Sequence, residues 1–199
     1  MPRHADPERK PALIAQILDF LLDKPLSGLS FRTLARALDV STFTLVYQFG
    51  TRAELLSEIV RAISSRETEI HQRLATNPGT IDVYFEGLVL SWDWTLDPRN
   101  RRLQRLEFEA SMIEALDPAS HTFVRSLYTR WQQIGFDALV SFGLSAEDAD
   151  VESRLMVNTF YGIQYDLVVN NEQERATAAF TRAIQHHRER IMALIRQPA

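Results

Sequence analysis

The sequence has 199 residues, of which 45% are hydrophobic, and its formal net charge is −4. That hydrophobic content is enough for a packed core and excludes a disordered chain. Because there is no cysteine, disulfide frameworks, thiolate zinc sites and cysteine nucleophiles are excluded. The polar N-terminus lacks the apolar core of a secretory signal, and no apolar run reaches the roughly 20 residues of a membrane span. We therefore expect a cytoplasmic protein without a membrane partner.

The acidic residues are concentrated in the C-terminal part of the chain. Residues 1–75 contain 10 Lys and Arg and 9 Asp and Glu, whereas residues 76–199 contain 12 and 17. Attraction to phosphates depends on the local charge pattern rather than on the total charge. Nucleic-acid binding by the nearly balanced N-terminal part is therefore compatible with the acidic net charge.

Apolar residues recur at helical spacing along almost the whole chain, and the interruptions coincide with Pro, Gly, Asp and Ser. This pattern predicts an all-α fold with about nine helices. In the N-terminal part, helices are expected over 7–23, 31–37, 42–48 and 52–75. In the C-terminal part, they are expected over 81–96, from Asp97-Pro98, from Asp117-Pro118, and over 146–170 and 172–197.

Two short helices, separated by the tight turn Asp39-Val40, lie between longer helices near the N-terminus. Ser30 and Ser41 stand directly before these short helices, where a hydroxyl can cap the first free N–H groups. This layout is that of a helix-turn-helix DNA-binding unit. Short helices also occur in ordinary bundles, so the layout alone leaves DNA binding open.

Three segments of this region carry a more specific pattern: Leu29-Ser-Phe-Arg-Thr-Leu-Ala35, Val40-Ser-Thr-Phe-Thr-Leu-Val-Tyr-Gln-Phe49 and Arg52-Ala-Glu-Leu-Leu56. Together they resemble the tetracycline-repressor (TetR) family over about residues 7–60. The resemblance implies a three-helix helix-turn-helix DNA-binding domain over 1–50. It also implies a helical ligand-binding and dimerisation domain over 51–199, with the 52–75 helix connecting the two.

Three positions depart from the family pattern. Asp39 stands where Gly is usual, Val46 where a phosphate-binding Tyr is usual, and Gln48 where His is usual. Asp tolerates the left-handed backbone conformation better than most residues. Tyr47 keeps a phenol one position further on, and the Gln48 amide can still donate to a phosphate. We therefore expect the departures to alter individual contacts without abolishing DNA binding.

The N-terminal turn of the second short helix carries residues suited to contact base edges. Phe43 is expected to contact a thymine methyl group, and the hydroxyls of Thr42 and Thr44 to bind a base edge or a phosphate. Residues that open the flanking helices are expected to bind phosphates through backbone N–H and guanidinium groups. The full predicted DNA-binding set is Ser30, Arg32, Ser41, Thr42, Phe43, Thr44, Tyr47, Gln48, Thr51 and Arg52.

Simpler interpretations stay open for part of this set. Phe43 can be a core aromatic residue. The inner face of its helix is, however, already predicted to consist of Leu45, Val46 and Phe49. Hydroxyl residues that stand directly before a helix can act only as caps, and these are Ser30, Ser41 and Thr51.

Basic residues also lie at and before the start of the first helix. Arg3, Arg9 and Lys10 can form an arm along the DNA backbone or the minor groove, as in other helix-turn-helix proteins. A solvated, disordered tail is the simpler interpretation of the same residues.

Large aromatic residues are concentrated between Ile81 and Tyr165. Such a concentration can enclose an apolar pocket to which the ends of a few side chains add polar groups. Core packing explains any single residue more simply. The family resemblance implies a small-molecule inducer between the middle helices, whose binding moves the fourth helix and releases the DNA. We expect this inducer to be apolar, aromatic or lipid-like. The predicted lining residues are Trp92, Phe108, Met112, Leu127, Trp131, Phe160 and Gln164.

The last two predicted helices carry long apolar stripes. Packing of both helices against their copies would form a four-helix homodimer interface, and a palindromic operator requires such two-fold symmetry. Burial within one chain is the alternative for part of each stripe. The stripes consist of Leu155, Thr159, Gly162, Ile163 and Val169 in one helix and Phe180, Ala183, Ile184, Ile191 and Leu194 in the other.

The sequence carries no motif for catalysis. It has no phosphate-binding glycine loop, no Gly-x-Ser-x-Gly, no His-Glu-x-x-His and no Glu-x-x-His pair of the di-iron type. His186 and His187 are adjacent in a helix, where neighbouring side chains point about 100° apart, so we expect a solvated pair and no metal site. The basic run over 99–105 is expected to be a solvated face. No cofactor is predicted.

The sequence thus predicts a sequence-specific DNA-binding transcriptional regulator. Its expected partners are a double-stranded palindromic operator, a second copy of the chain and a small apolar inducer, and repression is the family default. The alternative is a helical small-molecule-binding protein whose DNA-binding surface is degenerate, which the Val46 departure would allow. An enzyme in a helical scaffold would need a convergent polar cluster that the sequence does not show.

Overall fold

The computed structural model describes residues 8–65, 79–116 and 123–196. Over these residues it contains nine α-helices, a short 3₁₀ turn at Leu26–Gly28 and no strand, which confirms the predicted all-α fold. No helix in this part of the chain is long and apolar enough to cross a membrane. The helices are α1 (Arg9–Leu21), α2 (Phe31–Ala37), α3 (Thr42–Phe49), α4 (Arg52–Ser65), α5 (Ile81–Leu96), α6 (Pro98–Leu116), α7 (Phe123–Ser141), α8 (Ala146–Asn170) and α9 (Gln173–Arg196).

Local capping and breaking signals explain most helix bounds. The predicted bounds of α2 and α8 are confirmed, and α3 continues one residue further than expected, to Phe49. α1 ends at Leu21, two residues earlier than predicted, and Pro25 has no backbone N–H with which to bond the Leu21 carbonyl and continue the helix. The second half of the predicted 52–75 helix and the Asp117-Pro118 helix start lie outside the described residues.

The described helices belong to two compact units. Unit 1 consists of α1 to α4 and the part of α6 that begins at Arg105. Unit 2 consists of α5, the part of α6 that ends at Gln104, nearly all of α7, and α8 and α9. The division of the chain at residue 50 into independent domains stays a prediction.

The core of unit 1 is formed by the apolar faces of its helices. One apolar face of α1 and one of α4 are buried, and each fully buried Leu or Ile side chain contributes roughly 1.5–3 kcal/mol by its removal from water. The largest fully buried side chains of this unit are Ile17, Leu18, Leu21, Leu26, Leu34, Leu45, Leu55, Ile59, Ile63 and Leu106.

The described residues of unit 2 form two apolar clusters. In one, the Trp92 ring stacks on Phe180 with centroids 4.7 Å apart and planes 10° apart, and Trp92 Nε1 donates to Thr177 Oγ1 at 3.3 Å. In the other, Tyr84 and Phe85 pack in an edge-on arrangement with centroids 5.2 Å apart. That second cluster also contains Ala138, Leu139, Leu144, Ala149 and Ile191.

Candidate DNA-binding surface and ligand cavity

Hydroxyl residues cap the two short helices in the same way. Ser30 Oγ accepts the backbone N–H of Thr33 at 3.1 Å, and Ser41 Oγ accepts that of Thr44 at 3.0 Å. In each pair the two side-chain hydroxyls are also hydrogen-bonded, at 2.8 Å. Ser30 and Ser41 are therefore helix caps, and the hydroxyl of Thr44 already has an internal partner.

The turn between α2 and α3 depends on Asp39. Its φ is +52°, so Asp39 lies in the left-handed region that glycine usually occupies. The N–H of Val40 then reaches back to the carbonyl of Ala35 at 3.1 Å, which closes the end of α2. The expectation that Asp39 tolerates this conformation is confirmed.

α3 presents an aromatic pair to the surface. Phe43 is 78% exposed and Tyr47 is 67% exposed, and their rings stack with centroids 6.4 Å apart and planes 21° apart. The core interpretation of Phe43 is therefore wrong. The prediction that Val46 belongs to the inner face is also wrong, because Leu45 and Phe49 fill that face and leave Val46 45% exposed.

The remaining polar residues of α3 lie beside this pair. Ser41 and Thr42 are exposed, whereas Thr44 and Gln48 are partly buried. The described residues provide no partner for the hydroxyl of Thr42. Thr42 is therefore the hydroxyl of this turn that is available to DNA, while Gln48 offers an amide at the edge of the same face.

Thr51 and Glu54 cap the start of α4 together. Glu54 Oε2 accepts the N–H of Thr51 at 2.7 Å and its hydroxyl at 2.8 Å, and the N–H of Glu54 donates to Thr51 Oγ1 at 3.2 Å. These bonds lower the pKa of the Glu54 carboxyl below its usual value, the backbone bond from Thr51 most of all. The Thr51 groups that were expected to bind a phosphate thus already have a carboxylate partner.

Arg52 also has an internal role. Its Nε donates to the carbonyl of Leu29 at 3.0 Å, and one terminal nitrogen donates to the carbonyl of Leu26 at 3.2 Å. These bonds join the start of α4 to the segment that precedes α2. The predicted phosphate contact of Arg52 would therefore have to be made alongside this structural function.

Two residues of α6 bind the backbone at the start of the segment that joins α1 to α2. A terminal nitrogen of Arg105 donates to the carbonyls of Leu21, Leu22 and Lys24 at 2.9, 3.2 and 3.1 Å. Arg105 also forms an ion pair with Glu109, whose second oxygen accepts the N–H of Leu26 at 2.6 Å. The expectation of a solvated basic face is therefore wrong for Arg105.

Two arginines of α2 provide positive charge at the surface of unit 1. Arg32 and Arg36 are exposed and lie one helical turn apart. The described residues provide no hydrogen-bond or ion-pair partner for either guanidinium. The prediction included Arg32 and missed Arg36, although the i, i+4 spacing places both on one helix face.

The basic residues near the N-terminus have different surroundings. Lys10 lies in the first turn of α1, where its Nζ is 3.0 Å from Glu58 and 5.8 Å from the centroid of the Phe49 ring. Arg9 is exposed, and Arg3 lies outside the described residues. Lys10 is therefore part of the packed unit, and of the two described residues Arg9 keeps the surface position that a DNA-binding arm needs.

Unit 2 contains a cavity between α5, α6, α7 and α8. The empty volume between its walls is about 640 Å³, part of it open to solvent. Its wall is mainly aromatic and aliphatic. The lining residues are Tyr84, Leu88, Ser91, Gln104, Trp131, Ile134, Gly135, Ser153, Met156, Val157, Phe160, Tyr161 and Gln164.

Three of the predicted ligand-binding residues, Trp131, Phe160 and Gln164, line this cavity. Trp92 does not, because it is stacked on Phe180 in the core. Leu127 is half-buried on α7 and is also not part of the wall. The prediction missed three other polar wall residues, Ser91, Gln104 and Ser153. Their only sequence signal is that a polar residue interrupts an apolar helical stripe.

Phe108 and Met112 are also separate from the cavity. Both belong to the part of α6 that lies in unit 1, and Met112 is 66% exposed. The cavity is instead lined by α6 only at Gln104.

Several polar groups of the cavity wall have partners within the protein. The hydroxyls of Ser91 and Ser153 donate to the carbonyls of Gly87 and Asp150 at 3.0 and 3.1 Å. Gln164 Nε2 donates to Thr95 Oγ1 at 2.8 Å in a buried bond. Gln104 is 1% exposed, and its Nε2 has no hydrogen-bond partner in the described part of the chain.

The two predicted dimer stripes differ in exposure. On α8, Leu155 is 51% exposed and Val169 is 59% exposed, and a Cβ added at Gly162 would meet no atom within 4 Å. On α9, Phe180 and Ile191 are buried in the core of unit 2. The alternative of burial within one chain therefore holds for these α9 residues, while the α8 stripe stays a predicted interface.

The adjacent histidines of α9 also differ. His186 is exposed, whereas His187 is buried beside the rings of Tyr84 and Phe85. Burial, helped by the positive charge of Arg190, lowers the pKa of His187 to about 4. The expectation of a solvated pair is wrong for His187. Among the described residues, no group of three or more His, Cys, Asp or Glu side chains could hold a metal ion.

No protein-family model and no curated protein matches the sequence, but solved structures match it over nearly its whole length. A TetR transcriptional regulator from Legionella pneumophila covers 94% of this chain and 98% of its own, with a TM-score of 0.66 and 13% identity. NalD of Pseudomonas aeruginosa, the secondary repressor of the MexAB-OprM multidrug efflux pump, covers 88% and 94%, with a TM-score of 0.63 and 14% identity. The chain has the TetR-family fold.

A third structure with similar architecture is the multidrug binding protein EbrR in complex with imidazole. It covers 92% of this chain and 93% of its own, with a TM-score of 0.64 and 24% identity. The TetR-family fold confirms the fold that the three sequence segments implied. At this level of identity, the likeness concerns the fold, and function has to be argued from the residues of this chain.

Proposed function

We propose that the chain is a sequence-specific DNA-binding transcriptional regulator. The observation that carries the proposal is the stacked pair Phe43 and Tyr47, which lies exposed on a short, capped helix. Large exposed apolar side chains that do not support the core mark an interaction surface. On the second helix of a helix-turn-helix unit, such side chains are placed to enter the major groove.

The surrounding residues suit the same role. Phe43 would contact a thymine methyl group, with the Thr42 hydroxyl and the Gln48 amide beside it. Arg32 and Arg36 would bind phosphates, since neither has an internal partner in the described part of the chain. Ser30, Ser41, Thr51 and Arg52 would support this surface by capping and anchoring its helices.

We further propose that the regulator is a homodimer that binds a palindromic operator. Two-fold symmetry of the protein matches two half-sites separated by about 34–36 Å, or a multiple of it, along the DNA. The exposed stripe of α8, which includes Leu155, Gly162 and Val169, is the surface through which the copies would pack, together with the outer face of α9.

A small apolar ligand would release the operator, which makes the regulator a repressor. The cavity of unit 2 supports release by a ligand, and so does the position of two adjacent residues in α6. Gln104 lines the cavity, and the next residue, Arg105, binds the carbonyls at the end of α1. A ligand that displaces this helix would therefore disturb the segment before α2.

The test is a fluorescence-anisotropy titration against DNA from upstream of the reading frame, followed by selection from random duplexes. Phe43→Ala should weaken the specific complex by at least about tenfold, because one good base contact is worth about 1–3 kcal/mol. Unfolding should be unaffected, since Phe43 is 78% exposed. Leu90→Ala, at an exposed apolar position in unit 2, is the matched control and should leave DNA binding unchanged.

The opposite result would be equally informative. If neither the upstream DNA nor the random selection gives a specific complex, the regulator proposal is wrong. A saturable complex with an apolar small molecule in that same preparation would then favour a helical ligand-binding protein. The exposed Val46, which replaces a phosphate-binding Tyr of the family pattern, is the residue that favours this second candidate.

A further inference from the structure

We infer that the cavity of unit 2 recognises an uncharged aromatic molecule with a hydrogen-bond acceptor, and that Gln104 donates to this acceptor. The inference rests on the proposed function only in calling this molecule the inducer. It goes beyond a merely apolar ligand, because it specifies the charge, the polar group and the residue that selects it.

The wall requires an aromatic or aliphatic body. Trp131, Phe160 and Tyr161 supply ring surfaces, and Met156 supplies a flexible, polarisable side chain that adapts to flat molecules. Gly135 completes this wall, because a Cβ there would lie 3.1 Å from Ser153 Cβ. Glycine therefore lets α7 approach α8 closely at the cavity.

The wall also requires an uncharged ligand. Among the described residues that line the cavity, none is Lys, Arg, His, Asp or Glu. A buried charge without a counter-charge is strongly unfavourable. Burial, together with the negative charge of Glu152, raises the pKa of the Tyr84 hydroxyl, so this wall residue stays neutral and supplies no counter-charge. An anionic ligand would therefore be buried without a cation in the described part of the cavity wall.

Gln104 supplies the polar specificity. Its side chain is 1% exposed, it lines the cavity, and its Nε2 lacks a partner in the described part of the chain. A buried donor without an acceptor is unfavourable, so a ligand that supplies the acceptor gains binding free energy. The hydroxyls of Ser91 and Ser153 and the amide of Gln164 already donate to protein acceptors.

The test compares three probes of one shape by equilibrium dialysis: 2-acetylnaphthalene, 2-isopropenylnaphthalene and 2-naphthoate. The neutral ketone should bind about fivefold to tenfold more tightly than the alkene, which is the worth of one hydrogen bond. The anion should bind most weakly. Tighter binding of 2-naphthoate, equal binding of ketone and alkene, or no binding of any probe would overturn the inference.

The variants assign the preference to a residue. Gln104→Leu should reduce the affinity for the ketone to that for the alkene and leave the affinity for the alkene unchanged. Gln132→Leu is the matched control, since the Gln132 amide nitrogen is also unpartnered in the described residues but lies outside the cavity wall. Persistence of the preference in Gln104→Leu, or its loss only in Tyr84→Phe, would contradict the role of Gln104.

A parallel operator titration keeps this result separate from the proposed function. Operator binding without a ketone preference would overturn the inference and leave the regulator proposal intact. A ketone preference that depends on Gln104, without any DNA complex, would support the inference and overturn the regulator proposal. Circular dichroism of Gln104→Leu checks folding, and its thermal midpoint should equal or exceed that of the parent protein, because an unpartnered amide is removed.

Discussion

Arg105 and Glu109, one helical turn apart on α6, hold two kinds of backbone group in the segment between α1 and α2. Arg105 donates to three carbonyl oxygens at and just after the end of α1, and Glu109 accepts the N–H of Leu26 at 2.6 Å. Carbonyls at a helix end have no partner within the helix. The ion pair therefore satisfies backbone groups of the segment that leads from α1 to α2.

The first prediction concerns this ion pair. Arg105→Ala should lower the free energy of unfolding by about 2 kcal/mol, because it removes charged hydrogen bonds and leaves Glu109 without its cation. Operator affinity should fall as well, since the segment before α2 loses its anchor. Urea unfolding followed by circular dichroism measures the first effect, and anisotropy measures the second.

Arg102→Ala provides the control for that experiment. Arg102 is exposed on the same helix, and its Nε donates to the carbonyl of Pro98, one turn earlier in α6, at 3.3 Å. Surface substitutions of this kind usually change stability by less than about 0.5 kcal/mol. Equal losses in the two variants would show that helix propensity, and not the bonds of Arg105, causes the effect.

The second prediction concerns the phosphate contacts of α2. Arg32→Gln and Arg36→Gln should each reduce the slope of log K against log salt by about 1, because each removes one phosphate contact. A 30-base-pair duplex of arbitrary sequence is sufficient for this measurement. Arg61→Gln is the control, since Arg61 is paired with Glu58 at 2.6 Å. A slope that is unchanged in both α2 variants would remove them from the DNA-binding surface.

The third prediction concerns the α8 stripe. Gly162→Glu should convert the dimer into a monomer and weaken operator binding, as measured by size-exclusion chromatography with light scattering and by anisotropy. A Cβ added at Gly162 would meet no atom of the described residues within 4 Å, apart from the adjacent backbone of its own helix, so folding should be retained. Thr129→Glu, at an exposed position of α7, should remain dimeric. A dimeric Gly162→Glu protein would place the interface elsewhere.

Local signals made the helix bounds predictable from the sequence. Ser30 and Ser41 cap helices that begin at the next residue, and Asp39 takes the left-handed conformation that ends α2. These effects depend on a few neighbouring residues and on the backbone, so they can be recognised without knowledge of the tertiary structure.

Contacts between distant residues could not be predicted in the same way. Helical spacing identifies an apolar face but not the element that covers it, so Trp92 was assigned to the cavity although it stacks on Phe180. The roles of Gln104 and Arg105 depend on residues more than 20 positions away. Val46 shows the same limit, because Leu45 and Phe49 fill the inner face and leave it 45% exposed.

The fourth prediction concerns His187. Its imidazole is buried beside Tyr84 and Phe85, and its Nδ1 lies 3.7 Å from Glu152, which also pairs with Arg190. Although Glu152 favours the charged imidazole, burial and the positive charge of Arg190 outweigh it and lower the pKa of His187 to about 4. The folded protein therefore keeps this residue neutral at a pH at which the unfolded chain binds a proton.

The sign of the pH dependence follows from this difference. An unfolded His has a pKa of about 6.5, so the stability conferred by neutral His187 is complete above that pH and is lost as the pH falls toward 4. Between pH 7 and pH 5 the loss amounts to about 2 kcal/mol. Urea unfolding at both values should show this difference in the parent protein and in His186→Gln, whose side chain is exposed. In His187→Gln the difference should be smaller by about that amount, and an unchanged difference would mean that His187 does not control acid stability.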